Sequence, residues 1–215
     1  MNPNWSGRSQ DRIPLSAIFQ LLSPYHRELS FMEMIGTAIG SHAPDFELPG
    51  IDDRVHHLAR YLEEYRGVGV IFLCNRCAYV QSYLDRLKQI QTDFNDKGFT
   101  LIGINSNDAR QYPEDSFEQM KSFAQERDLN FPYLRDATQD VAHCFGVQKT
   151  SEVFLLDGEG ILRYRGSIDD HPHCPEEVES SYLREAIASL LSGETVAIES
   201  TEAIGGSLRW HQKGP

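Results

Sequence analysis

The stretch "GVGVIFLCNRCAYV", residues 67 to 80, sets Cys74 and Cys77 three positions apart directly behind an apolar run. Two thiols at this spacing can close a small disulfide ring, supply half of a four-ligand zinc site, or persist as the remnant of either. Context strengthens the redox reading. The first cysteine follows a run with the pattern of a buried strand and the second opens a helical pattern. Cys74 should therefore sit near the N-terminal turn, where free N–H groups and the helix dipole favour a thiolate. Arg76, between the two, adds positive charge in the same direction. The thiolate is the attacking species in disulfide exchange, and the spacing lets a mixed disulfide formed by Cys74 be resolved by Cys77. The expectation is that Cys74 is the exposed nucleophile and that Cys77 faces the helix interior.

Other residues with chemical potential lie farther along. "DDHPHCPEEVE" places His171, His173 and Cys174 in one loop, and with Cys74 and Cys77 they could supply soft N and S metal ligands. An acidic loop with two prolines is ordinarily a solvated connection, so the expected metal content is none, and no cofactor is expected. Cys144, in "VAHCFGV", reads as a small core residue on a helix, with a resolving thiol as the alternative; His143 reads as a surface or capping residue. Asn105, Ser106, Asn107 and Asp108 follow the end of a strand pattern, where α/β proteins place functional loops. Turn formation explains the same residues equally well. No carboxylate occurs within residues 67 to 73, so that strand offers no acid to assist proton transfer.

The elements that must position the cysteines can be read from periodicity. "VGVIFL" is short, apolar and rich in β-branched residues, the pattern of a central strand buried on both faces. Val80, Tyr83, Leu84, Leu87, Ile90 and Phe94 recur three or four apart and predict a helix of about four turns. "FTLIGINS" predicts a second buried strand. "DSFEQMKSFAQERD" predicts a helix beginning at Asp115 or Ser116, and "TQDVAHCF" another ended by Gly146. "EVFLLD", "GEG" and "ILRYRG" form a hairpin signal, and "SYLREAIASLLSG" closes the domain with an amphipathic helix. Upstream, Phe46 and Leu48 alternate with charges as an edge strand would, and Val55, Leu58 and Leu62 stand at helical spacing. The sum is an α/β fold, a three-layer α/β/α sandwich with a mixed central sheet.

The whole chain has 215 residues, 40% of them hydrophobic, which suits one domain with extensions. Residues 1–36 read as an N-terminal extension, either a surface appendage or a segment that docks a protein partner; residues 37–196 as the domain; residues 197–215 as a C-terminal tail. With 20 Lys and Arg against 32 Asp and Glu, the formal charge is −12. Such a field repels phosphate backbones and anionic membrane surfaces, so no nucleic-acid partner is expected. No apolar run approaches a membrane span, and the N-terminus lacks a secretory apolar core. Four cysteines are too few for a disulfide framework, so a cytoplasmic, reducing location is expected.

The segments "APDFELP" (43 to 49), "CNRCAYV" (74 to 80), "INSNDARQYPEDS" (104 to 116), "FPYLRDATQ" (131 to 139) and "VFLLDGEGILRYRG" (153 to 166) resemble a bacterial group of the thioredoxin-like superfamily related to AhpC/TSA proteins. The resemblance covers about residues 36 to 210. It implies a thioredoxin fold and thiol-disulfide exchange by a Cys74–Cys77 dithiol on a protein or small-molecule disulfide. Alternatives are a thiol peroxidase-like antioxidant protein, an interaction subunit with vestigial redox chemistry, or a metal site at the two cysteines.

The chain departs from the group's pattern in three places. Arg76 and Ala78 stand where the group has His and Pro; Thr150-Ser151 stands where the superfamily has a Thr-Pro dipeptide facing the cysteines; Gly206 stands where the group has a cysteine. Arg76, Thr150 and Ser151 are the expected substrate contacts. A bond before a non-proline residue is expected to be trans, so the loop opposite the dithiol should be reshaped. The PxxxTxxC spacing of peroxiredoxins is absent in either frame, since the positions it requires hold Val70 and Cys74, or Gly67 and Ile71.

Overall fold

Strand β3, Gly67–Phe72, occupies the middle of a five-stranded sheet in a computed structural model that describes residues 36–212. On one side it pairs in parallel with β4 (Phe99–Asn105), which pairs in parallel with β5 (Tyr133–Arg135). On the other it runs antiparallel to β6 (Val153–Asp157), which forms a hairpin with β7 (Leu162–Gly166). The order β5-β4-β3-β6-β7 is a mixed sheet of thioredoxin type.

The alternation of β3 side chains sorts the core into two layers. Val68, Val70 and Phe72 face a cluster that includes Phe46, Leu48, Leu58, Ala142 and Phe145. These come from β1 (Glu47–Pro49) or just before it, and from helices α1 (Leu58–Glu64) and α4 (Asp140–Phe145). Ile71 and Leu73 face the opposite cluster, built on α2 (Ala78–Phe94), α3 (Phe117–Glu126) and α5 (Tyr182–Ser192). In α2 the expected stripe from Val80 to Phe94 is buried. Gly146 and Gly193 end α4 and α5 in the left-handed conformation that a residue without Cβ adopts freely.

Two local expectations need correction, and one short strand had no counterpart among them. Val55 is not helical: Val55–His57 form β2, antiparallel to β1 in a separate two-stranded sheet, and α1 begins only at Leu58. Cys144 is exposed rather than in the core. In the short helix α4, Ala142 and Phe145 lie three apart and take the buried face, which turns His143 and Cys144 outward. Strand β5 was not evident from periodicity, because three residues at the sheet edge are too few to show one.

The expected N-terminal extension lies outside the described residues apart from Gly36. Residues 197–212 do not trail from the domain. Ser200 bridges to Arg165 and Ser207 to Lys149, and Leu208 is buried. Among the described residues no helix is long and apolar enough to cross a membrane.

Candidate active site

The C-terminal end of β3 is held on both sides: Phe72 N–H donates to the Glu152 carbonyl and Leu73 N–H to the Ile104 carbonyl. The chain then turns through Asn75 and Arg76, and Cys77 caps the N-terminus of α2 in an extended conformation. Strand and helix thus bring Cys74 and Cys77 together as free thiols that share a hydrogen bond.

Their environments are opposite to the expected ones. Cys74 is 5% exposed, whereas Cys77 is only partly buried. Cys77 sulfur accepts from the Thr150 hydroxyl at 3.2 Å, with Cys74 and Gly206 beside it. The Cys74 hydrogen bond, then the other donors, hold the Cys77 thiol well below the usual thiol range even though burial opposes this. The same Cys74–Cys77 bond, followed by burial and by the charges of Cys77 and Asp115, pushes the Cys74 thiol upward. The helix starts one residue after the second cysteine, so Cys77 rather than Cys74 stands at its N-cap.

The turn between the cysteines rests on a buried polar network that periodicity did not reveal. Asp115, expected only at a helix start, closes a 3-10 turn, Pro113–Asp115, and is 1% exposed. Its Oδ1 accepts from the Asn75 backbone N–H at 2.8 Å and from Asn105 Nδ2 at 3.0 Å, and its Oδ2 from Asn107 Nδ2 at 2.8 Å. Asn75 Oδ1 accepts from the Tyr133 hydroxyl, and Arg135 donates to the carbonyls of Asn105 and Asn107. Burial raises the Tyr133 hydroxyl well above its ordinary range, so it stays a donor. Of the polar run Asn105 to Asp108, left open between turn and function, Asn105 and Asn107 belong to this network. Asp115 also supplies, from a different element, the carboxylate that β3 lacks.

Opposite the dithiol, the loop before β6 contains no cis peptide bond, and Ser151 has φ 74°, a left-handed conformation. Buried Glu152 fixes the loop by accepting from Gln148 N–H and from Arg165. Thr150 thereby touches Cys77, whereas the Ser151 hydroxyl is buried without a hydrogen-bond partner and does not line the opening. Of the three expected substrate contacts, Arg76 and Thr150 line a cavity of about 200 Å³ with both cysteines, and Ser151 does not. Asn107, Asp115, Gly206, Ser207 and Arg209 complete its wall.

The loop of His171, His173 and Cys174 lies apart from the residues lining this cavity. Arg86 holds it to α2 through Asp169 and the carbonyls of His171 and Pro172. His173 bonds to Ser82 and lies against Tyr79. Among the described residues no group of three or more His, Cys, Asp or Glu is arranged to hold a metal ion.

The model of the AhpC/TSA family matches residues 39–165, which span β1 through most of β7 and include both cysteines. The chain belongs to the AhpC/TSA family. Two solved structures resemble it over nearly their whole length. An uncharacterized conserved protein from Geobacillus kaustophilus is 35% identical with a TM-score of 0.77, covering 82% of this chain and 94% of its own. The hypothetical protein SMc02350 from Sinorhizobium meliloti 1021 is 32% identical with a TM-score of 0.78, covering 83% and 98%. Among curated relatives, the thiol-disulfide oxidoreductase ResA of Geobacillus thermodenitrificans is 28% identical over 138 residues, 62% of this chain and 71% of ResA.

Proposed function

We propose that this AhpC/TSA-family protein is a thiol-disulfide oxidoreductase whose working group is the Cys74–Cys77 dithiol. The observation that carries this reading is the placing of two free thiols in one cavity where β3 meets α2, one buried and the other partly exposed and accepting from Thr150. The similarity to ResA, named as an oxidoreductase of this type, supports it. In the reaction, Cys77 thiolate attacks one sulfur of a disulfide RS–SR, forming a Cys77–SR bond and releasing RS⁻, which takes a proton from solvent. Cys74 then loses its proton and attacks Cys77 sulfur, forming the Cys74–Cys77 disulfide and releasing the second RSH. The protein loses two electrons and the substrate gains them. An external dithiol, protein or small molecule, returns the protein to its starting form. These roles reverse the order expected from the sequence.

Single-serine variants test the reading. Cys74→Ser should accumulate a stable Cys77 mixed disulfide on incubation with a small disulfide, and Cys77→Ser should react slowly at Cys74; intact mass and peptide mapping distinguish the two. Stable adducts on Cys74 alone would restore the original assignment. If neither substitution alters exchange and the protein purifies within a larger complex, the interaction-subunit reading replaces this one.

A further inference from the structure

Residues 205–211 cross the mouth of the dithiol site as a strap held on both banks. On one bank, Thr150 N–H donates to the Gly206 carbonyl at 2.7 Å, and Lys149 and Ser207 form an antiparallel bridge. The approach is so close that a Cβ on Gly205 would stand 1.7 Å from the Thr150 carbonyl oxygen, and one on Gly206 3.2 Å from Cys77 sulfur. On the other bank, Arg209 N–H donates to Asn107 Oδ1 at 3.0 Å and Asp108 N–H to the Arg209 carbonyl at 2.9 Å. Gln139 donates to the Arg209 carbonyl and accepts from His211 N–H, while Trp210 stacks on His143 at 4.1 Å.

The Thr150 amide is the backbone donor beside Cys77 with which an extended chain could pair as an added strand, and the strap already occupies it. What stays open is the cavity of about 200 Å³, too small for a folded or extended polypeptide but roomy enough for one arm of a small disulfide. Arg76, exposed at its rim, has no ion pair or hydrogen bond among the described residues, whereas Arg209 on the strap is engaged by Glu114 at 3.0 Å. A guanidinium in that position suits a planar carboxylate.

From this geometry we infer that the strap restricts the site to low-molecular-weight disulfides, and that Arg76 selects those bearing a carboxylate. The inference rests on the exchange chemistry proposed above; the substrate is consumed and the dithiol regenerated as described there.

The test compares full-length protein with oxidised glutathione, cystamine, 2-hydroxyethyl disulfide and insulin as oxidants. Wild type should favour oxidised glutathione over cystamine by about tenfold in kcat/KM, with insulin near background. Arg76→Gln should abolish that preference through KM, bringing the glutathione-to-cystamine ratio in kcat/KM close to one. Gly205→Ala, which lifts the strap, should raise insulin reduction by about tenfold. Gln139→Ala, which loosens the far bank without touching the cysteines, should move insulin reduction in the same direction and serves if Gly205→Ala misfolds. Equal use of insulin and glutathione by wild type, or an unchanged glutathione-to-cystamine ratio in Arg76→Gln, overturns the inference while leaving the exchange chemistry standing. No exchange with any oxidant overturns the oxidoreductase reading itself.

Discussion

At the residue scale, the two cysteines are chemically unlike because their neighbours are unlike. Cys77 collects donors, and Cys74 supplies one of them. The lowered Cys77 pKa places its thiolate well within the neutral range, so alkylation of Cys77 by iodoacetamide should be nearly independent of pH from about 6 to 9, where an ordinary thiol would titrate. Site-resolved mass spectrometry measures this; a rise centred near the usual thiol pKa would contradict it. Thr150→Val removes one donor to the sulfur, worth about 1 kcal/mol, and should raise the Cys77 pKa by somewhat under one unit. Asp115→Asn confronts Asn105 or Asn107 with a second amide donor in a buried space. Urea denaturation should show a loss of about 1–3 kcal/mol, because a buried donor is left without an acceptor.

At the element scale, β3 and α2 aim the dithiol, and their register depends on the packing of α2 against the sheet. Leu87, fully buried in the middle of the α2 stripe, tests that dependence. Leu87→Ala should cost about 2–5 kcal/mol in denaturant unfolding while the folded fraction keeps the Cys77 alkylation rate, since the cavity lies far along the helix from its N-cap. A changed alkylation rate without a change in stability would mean that the helix positions the sulfur differently. The loop before β6 is the opposite kind of element. Its left-handed Ser151 is unfavourable for a non-glycine residue and persists because Ser151 N–H donates to the Phe72 carbonyl and Glu152 is locked by Arg165.

At the scale of the whole molecule, the C-terminal strap joins two loops that belong to different halves of the sheet. Hydrogen exchange reads that junction directly. The amides of Asp108, Thr150, Arg209 and His211 donate to strap or loop acceptors, so they should exchange more slowly than other loop amides. All four should lose protection together in Gly205→Ala. Protection that survives the substitution would show that the strap contributes nothing to holding the loops.

The strand-turn-helix around the dithiol, the second buried strand, the hairpin and the closing helix were legible in the sequence, because alternation and helical spacing are local properties of neighbouring residues. The same locality explains what was missed. What lies against the Cys77 sulfur is Thr150 and Gly206, which stand 73 and 129 positions beyond Cys77 in the chain. Asp115 reaches the Asn75 amide across 40 residues, and Ser151 turns inward because Glu152 is anchored by Arg165. Local sequence thus determined the elements and put two thiols at the head of a helix. Only the tertiary structure decided which thiol is buried and what covers the other, since those outcomes depend on side chains and backbone that folding brings from distant positions.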